Sequence, residues 1–437
     1  MAKTHDIPII PRTPLPITGE AASVTGQLAP SDGPTTMQRR LWFLLPLALL
    51  SVSIIWGGVL QALLARQVNA FVPDASAQAG TLGLVLTIGA ISSVVFTPIV
   101  GLLSDRTRIR FLGRRNIWIL GGAIVSAVTL LATAFAPNAI VLTIAWALAL
   151  IPLNGYQAAA AAVVPERVPV RIRARLTAVN GMAALVGVGV GAVIGNLAGV
   201  SLAYVIFALQ LVVIGAVFAF FTRDFTPPTI VKGVKAEKTR LPGFRTAPDF
   251  WWVFIGRFLA FLGYGLATGL ALYALRDWFR VGEGTIDAAT TLNGTVIVPI
   301  STLLLIVSAI TGGILADKFH RMKPFVIGSS LLFIPAALVL MLVPNETGAV
   351  IGMCLLGFGF GSYVSVDGAL VTLVIPKLED AGRDLGILNI ANAGPQVIAP
   401  VIAGSVVAFA GFGWLYALVI AISSAASIAV MFVKSVR

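Results

Sequence analysis

The sequence predicts an all-α membrane protein, with twelve transmembrane helices arranged as two pseudo-symmetric bundles of six. Its 437 residues are 58% apolar and only 11% charged, and the mean hydropathy is +0.96. A water-soluble domain could not hide that much apolar surface, so the bilayer must be the solvent. Twelve apolar segments are long enough to cross its hydrocarbon core. Several residues and motifs of the first six segments are repeated at equivalent positions in the last six.

The apolar segments fall into two groups of six. Residues 1–36 are rich in Pro, Thr and Ser and lack an apolar run, so we expect a disordered tail and no signal peptide. The first bundle is expected over 37–222, a polar linker over 223–249 and the second bundle over 250–437. The predicted spans of the first bundle are 41–64, 80–103, 117–136, 139–162, 176–198 and 202–222. Those of the second bundle are 250–275, 291–315, 324–343, 348–374, 385–409 and 412–433.

The loop that follows the second span is repeated after the eighth. The segments GLLSDRTRIRFLGRRN at 101–116 and GGILADKFHRMK at 312–323 share the order of their glycine, leucine, acidic and basic residues. Asp317 follows Asp105 by 212 residues. Two further pairs recur at offsets of 211 and 209, namely Pro165 with Pro376 and Asn180 with Asn389. Three landmarks at nearly one offset indicate a duplicated six-helix unit, a plan that many secondary transporters share.

The positive charges are concentrated on one side of the membrane. With these spans, 26 of the 30 Lys and Arg residues lie in the tail or in connections on the side of the 101–116 loop, which we call the basic side. The exceptions are Arg66, Arg276 and Arg280 on the opposite side and Arg257 within a span. This bias predicts a cell (inner) membrane protein with both termini in the cytoplasm. It also accounts for the net charge of +12 without a nucleic-acid partner.

The residue inventory argues against an enzyme and against a cofactor. The single cysteine, Cys354, leaves no internal disulfide, and two histidines outside the spans cannot form a metal cluster. The glycine-rich run 187–199 follows no strand and holds no basic residue, so it does not fit a phosphate-binding loop. Glycines spaced by four predict close packing of helix backbones instead. Because the spans hold no histidine and no pair of acids, we expect no catalytic site.

Two charges lie well inside predicted spans. At 1.5 Å per residue, Asp367 is about 13 Å and Arg257 about 12 Å from the basic side. Because a charge in hydrocarbon is costly and tends to be paired, these depths favour an Arg257–Asp367 pair. Two interpretations remain open. Asp367 takes up and releases a proton, with Arg257 as its partner in one state, or the two residues form a permanent ion pair near the cytoplasmic gate.

Uncharged polar residues form stripes on several spans. They are expected to point inward, because an amide that faces lipid lacks hydrogen-bond partners. Each amide either lines a cavity or ties two helices together. The aromatic residues near them, such as Trp56, Phe261 and Tyr264, suit a neutral, polyhydroxylated ligand. The candidate substrate-binding residues are Gln61, Asn154, Gln157, Tyr264, Asn389, Asn392 and Gln396.

Several motifs resemble those of known transporters. The loop 101–116 resembles the signature loop of the major facilitator superfamily, and the whole chain has that family's layout. Shorter motifs resemble proton-coupled sucrose carriers and their glycoside–pentoside–hexuronide relatives. These motifs are Leu60-Gln61 with Leu63-Leu64, Asn154-x-x-Gln157, Arg110-Phe111 through Arg115, and Leu385-Gly386 through Asn389 with Pro395-Gln396.

The resemblance implies alternating access, in which two six-helix bundles rock about a central site lined by helices 1, 4, 7 and 10. It also implies a cytoplasmic gate, with Asp105 near the start of helix 11, where the helix dipole favours an acid. The candidate gate residues are Asp105, Arg106, Asp317 and Lys318.

The function we expect is proton-coupled symport of a sugar or glycoside by a monomer, with Asp367 and Arg257 as the proton-coupling residues. Its partners are then a small-molecule solute, the proton and the lipid bilayer. The alternative is a proton antiporter that exports amphiphilic compounds. Helix 5 lacks the Gly-Pro of proton-antiporting drug exporters, which favours symport.

Overall fold

The computed structural model describes residues 36–107, 112–168, 170–222, 243–244, 247–319, 322–373 and 381–433. All regular elements in these ranges are helices. Residues 1–35 of the predicted tail and most of the predicted linker 223–249 lie outside the described residues.

The first half contains six long helices. Helix α1 runs through three continuous pieces, which are Thr36–Gly58, a π-helical turn Val59–Leu63, and Leu64–Phe71. The others are α2 Ala75–Arg106, α3 Arg114–Ala134, α4 Ala139–Arg167, α5 Val170–Leu197 and α6 Val200–Phe221. The predicted span 80–103 overlaps the predicted loop 101–116 at its end, and α2 continues three residues beyond that span, through Arg106. It does so because the helical bonds continue, up to the Thr107 N–H that donates to the Leu103 carbonyl at 3.1 Å.

The second half contains six further helices. They are α7 Pro248–Thr268; α8, made of Ile286–Leu292, a π-helical turn Asn293–Ile297 and Val298–Phe319; α9, made of Met322–Leu331 and Phe333–Leu342; α10 Glu346–Leu373; α11 Ala381–Ala410; and α12 Phe412–Met431. Three short pieces join α7 to α8, which are Ala271–Tyr273, a π-helical turn Ala274–Trp278 and a 3-10 turn Val281–Gly284. Gly411, with φ +83°, lets the chain turn sharply between α11 and α12.

Twelve of the described helices are long and apolar enough to cross a bilayer, and each corresponds to one predicted span. The protein is therefore a multi-pass membrane protein. With twelve spans, the start of α1 and the end of α12 lie on the same side, which is the basic side defined above.

The two halves pack their helices by the same plan. Within the first half α1 packs on α5, α2 on α4 and α3 on α6; within the second half α7 packs on α11, α8 on α10 and α9 on α12. Between the halves, α2 contacts α11 and α5 contacts α8. Adding six to each helix number converts one set of contacts into the other, which is the pseudo-symmetry that the sequence repeat predicts.

The last turns of α6 and α12 are capped by equivalent helices. The Asn116 side chain on α3 donates to the carbonyls of Ala219 and Thr222 at 3.0 and 2.9 Å. The Lys323 ammonium on α9 donates to the carbonyls of Met431 and Val433 at 2.7 and 2.5 Å. Both side chains satisfy carbonyls that a helix C-terminus leaves free. The repeat thus extends to contacts whose residue types differ.

Three glycines of α5 lie directly against the backbone of α1. A Cβ atom on Gly191 would lie 1.8 Å from the carbonyl oxygen of Ile54, so no larger residue fits there. The glycine-to-carbonyl contacts are Gly187 with Leu50, Gly191 with Ile54 and Gly195 with Gly58. The predicted packing role of the glycine run is confirmed for these three residues, whereas a Cβ on Gly199 would meet nothing within 4 Å.

We predict that Gly191→Ala destabilises the protein by about 1–3 kcal/mol, because the added methyl group forces α5 away from α1. Gly181→Ala is the matched control on the same helix, since nothing lies within 4 Å of a Cβ at that position. Thermal unfolding of both variants in detergent gives the comparison. Equal melting temperatures would show that the α1–α5 contact is looser than described.

Candidate functional site

An ion pair lies between α7 and α10. Nη1 of Arg257 and Oδ2 of Asp367 are 2.9 Å apart, and their side chains are 16% and 3% exposed. The Tyr363 hydroxyl, one turn away on α10, donates to the other carboxylate oxygen at 3.2 Å. Both oxygens of the carboxylate therefore have partners inside the membrane. The pairing predicted from matching depths is confirmed.

Aromatic rings surround the arginine of this pair. The Arg257 guanidinium lies 5.5 Å from the ring centroid of Phe261, which in turn meets Phe360 edge-on at 5.4 Å. Tyr264 stacks on Phe360 with centroids 3.7 Å apart. Nε of Arg257 is buried and makes no hydrogen bond to a described residue. The guanidinium thus keeps donor capacity for a further acceptor.

On the first half, α1 and α4 are joined by a side-chain hydrogen bond. Nε1 of Trp56 donates to Oε1 of Gln157 at 3.1 Å, and Trp56 also meets Trp146 edge-on with centroids 6.3 Å apart. Gln157 is exposed. Leu148, nine residues earlier and 52% exposed, marks the outer face of α4. Nine residues amount to half a turn beyond two full turns, so Gln157 faces away from lipid, on the side of α4 where Trp56 of α1 lies.

Asn154 has a different environment from Gln157, although the two lie on the same helix. Its amide nitrogen donates to Oγ of Ser93 and to the carbonyl of Leu150, both at 2.7 Å. It ties α4 to α2, which is one of the two roles the sequence left open. A substrate contact through the Asn154 oxygen remains a prediction.

Two amides of α11 face the first half. Asn392 is partly buried and Gln396 is exposed, and Pro400 follows Gln396 by about one turn. The Pro400 carbonyl packs against α2, since a Cβ on Gly83 would lie 2.7 Å from it. Asn392 and Gln396 therefore lie on the face of α11 that meets the first half, nearer the basic side. The Asn389 side chain lies outside the described residues.

Gln61 lies in the π-helical turn of α1 and is exposed. About one turn later, the Ala65 carbonyl accepts a hydrogen bond of 2.9 Å from the Tyr273 hydroxyl of the second half. Gln61 therefore lies on the side of α1 that faces the second half. π-Helical turns are frequent at functional sites, and the sequence analysis did not anticipate this one.

The two halves are tied together on the opposite side by a buried arginine. Arg276 donates to the side-chain oxygens of Asn69 on α1 and Gln78 on α2, and it pairs with the adjacent Asp277. Tyr273 lies under its guanidinium, with 5.0 Å to the ring centroid. In the sequence, Arg276 stands out only as an exception to the charge bias, because nothing there indicates its partners.

A second tie on the opposite side joins α5 to α8. The Asn293 side chain, in the π-helical turn of α8, donates to Oδ1 of Asn196 at 3.2 Å. Arg66 of α1 caps the same end of α5 by donating to three carbonyls, those of Gly195, Asn196 and Ala198. These two ties therefore lie on the side of the membrane opposite to the basic side.

The predicted gate is only partly described. The side chains of Asp105, Arg106 and Asp317 lie outside the described residues, and Lys318 is exposed. Beside them, Arg115 forms a bidentate ion pair with Glu166 at the end of α4 and donates to Oγ of Ser104 at 2.9 Å. Arg115 belongs to a motif that the sequence shows, whereas no motif includes Glu166.

Comparisons with known proteins agree with this architecture. The family model described as Major Facilitator Superfamily matches residues 41–366 and 291–437. Two crystal structures of a bacterial homolog of the human lysosomal transporter Spinster have the same fold, one inward-facing and occupied, the other inward-facing and unoccupied. The TM-scores are 0.67 and 0.65, at 16% and 17% identity, over 92% of this chain and 95% of each of those chains.

A curated relative matches over a much shorter stretch. An uncharacterized symporter of Synechocystis sp. is 56% identical over 46 residues, which is 10% of this chain and 8% of the relative. The match thus spans less than a tenth of the length of that relative.

We predict that Arg257→Met lowers the free energy of unfolding by about 3 kcal/mol, because it leaves the Asp367 charge buried without its partner. Adding Asp367→Asn removes that charge and should restore most of the loss. SDS-titrated unfolding of the two single variants and the double variant measures the coupling. Additive losses in the double variant would contradict an energetic link between the two residues.

Proposed function

Because the chain belongs to the Major Facilitator Superfamily, and is thus a transporter rather than an enzyme, we propose that it imports a sugar or glycoside by proton-coupled symport. The observation that carries the proposal is the Arg257–Asp367 ion pair, which places an ionisable carboxylate inside the membrane beside a cation whose Nε makes no hydrogen bond to a described residue. Intramembrane acids of this kind serve as proton carriers in transporters.

Proton uptake and substrate binding are coupled through the arginine. A proton on Asp367 removes the negative charge that holds Nη1 of Arg257. The guanidinium then turns its donors towards the hydroxyl groups of the substrate, while the Tyr363 hydroxyl stays with the neutral acid. The substrate in turn stabilises the protonated state, because it replaces the lost partner of the arginine. Binding of either ligand thus favours binding of the other.

The exposed amides favour a polyhydroxylated solute over an amphiphile. Gln61, Gln157 and Gln396 offer donors and acceptors on the facing surfaces of the two halves. A site for amphiphilic compounds would line the same surfaces with apolar side chains. The Synechocystis relative, which matches over 46 residues, is named a symporter. That name favours symport over antiport.

Transport proceeds by alternating access. The contacts of Arg276 and Asn293 join the two halves on the opposite side, which favours a conformation whose substrate site opens to the basic side. The excess of positive charge supports a cytoplasmic location for the basic side, in a protein of the cell membrane whose single chain forms the pathway. Opening to the outside requires the Arg276 contacts to break while the basic sides of the two halves close.

The decisive test is uptake of radiolabelled sucrose, maltose, lactose and melibiose into proteoliposomes, with and without an inward proton gradient. We predict accumulation of at least one sugar against its gradient in the wild type.

Asp367→Asn should keep sugar counterflow but lose accumulation, since it can no longer carry a proton. Uptake of no sugar, together with efflux of a lipophilic dye, would favour the exporter. Gradient-driven accumulation by Asp367→Asn at the wild-type rate would exclude the proton role.

We also predict that Asn392→Ala and Gln396→Ala raise the KM of the transported sugar roughly tenfold each, since one or two hydrogen bonds are lost in each variant. Asn345→Ala is the control, because this asparagine caps α10 in an exposed loop on the opposite side. Unchanged KM values in both α11 variants would contradict a polar substrate surface on this helix.

A further inference from the structure

The indole ring of Trp56 is fixed at the inner surface of the first half. Its N–H is bound by Gln157, and Trp146 supports it edge-on. Trp146 is itself fully buried and packs on Gly89 of α2, where a Cβ would lie 2.8 Å from the indole nitrogen. Trp56 therefore rests against a rigid layer of α2 and α4, although it stays partly exposed.

Trp56 faces neither the lipid nor α5. Leu47, nine residues earlier and 38% exposed, lies half a turn away on the outer side of α1. The α1 side that contacts α5 is marked by Ile54 and Gly58, which the glycines of α5 touch. Trp56 is turned away from both surfaces and towards exposed Gln157.

The other aromatic residues near the site each have one face covered or are buried. Tyr264 and Phe360 cover each other at 3.7 Å, and Phe261 lies under the Arg257 guanidinium. Tyr156, on α4, is fully buried. On the inner surface of α1 and α4, Trp56 thus offers a partly free aromatic face.

We propose that Trp56 is the stacking platform for a pyranose ring of the substrate, and that Gln157 is a positioning residue that holds the indole through its N–H. The proposal rests on the sugar symport proposed above. A pyranose has one face lined by C–H groups, which carry partial positive charge and pack against the negative face of an indole. Its hydroxyl groups then point sideways, towards the amides of α11 and the guanidinium of Arg257.

The site therefore selects the ring and not merely its hydroxyl groups. A pyranoside whose C–H face is intact fits the platform, whereas a linear polyol lacks a flat face to stack. Sorbitol should therefore compete poorly with glucose-containing disaccharides for the same site.

The test uses the full chain in proteoliposomes and measures counterflow of whichever labelled disaccharide, sucrose, maltose, lactose or melibiose, the wild type transports. Trp56→Ala should raise KM at least tenfold with a small change in maximal rate, and Trp56→Phe should stay within about threefold of the wild-type KM. Trp414→Ala is the control, because this tryptophan is 68% exposed on the outer surface. Equal KM values for Trp56→Ala and the wild type would overturn the proposal.

Gln157 is tested by rescue. Gln157→Leu removes the acceptor for the indole N–H and should raise KM, whereas Gln157→Glu keeps an acceptor and should recover most of the affinity. Equal KM values for these two variants would overturn the positioning role. If the wild type transports none of the four sugars, the proposed function itself fails. If it does transport one and Trp56→Ala retains its KM, only the stacking platform fails.

Discussion

A carboxylate inside the hydrocarbon needs a partner, and the rest of the site depends on how this protein supplies one. Asp367 is neutralised by Arg257 from a neighbouring helix of the same half. Because both partners belong to one bundle, a rocking motion of the two halves leaves their contact intact. The ion pair breaks only when a proton or a ligand binds. It therefore responds to binding and not to the movement of the two halves alone.

The contacts between the halves have the opposite character. Those of Arg276 with Asn69 and Gln78 use neutral amides as acceptors, so separating them leaves no uncompensated acid behind on the first half. Within the first half, glycines allow α5 to touch the α1 backbone, and such packing resists deformation. The structure thus combines tightly packed bundles with contacts between the halves that can separate on the opposite side. Rigid-body movement of one half against the other requires both features.

The sequence is sufficient to predict features that depend on the solvent around a segment and on the depth of a residue in the membrane. Lipid forces the backbone into helices, so hydropathy located the twelve spans, and equal depth indicated the Arg257–Asp367 pair. It was insufficient where the answer depends on a neighbouring helix. Asn154 and Gln157 lie three residues apart with similar chemistry, yet the Asn154 amide nitrogen is bound by Ser93 and the Gln157 oxygen accepts the Trp56 indole. No pattern within α4 distinguishes them, because the difference arises from α1 and α2.

The central claim is that sugar and proton cross the membrane together and that the Asp367 carboxylate carries the proton. The most direct measurement is a pH-electrode recording in a weakly buffered suspension of proteoliposomes as unlabelled sugar is added outside. With wild-type protein, the external medium should become alkaline as the sugar enters, and addition of a protonophore should abolish the signal. Sugar entry with no change in external pH would contradict the account.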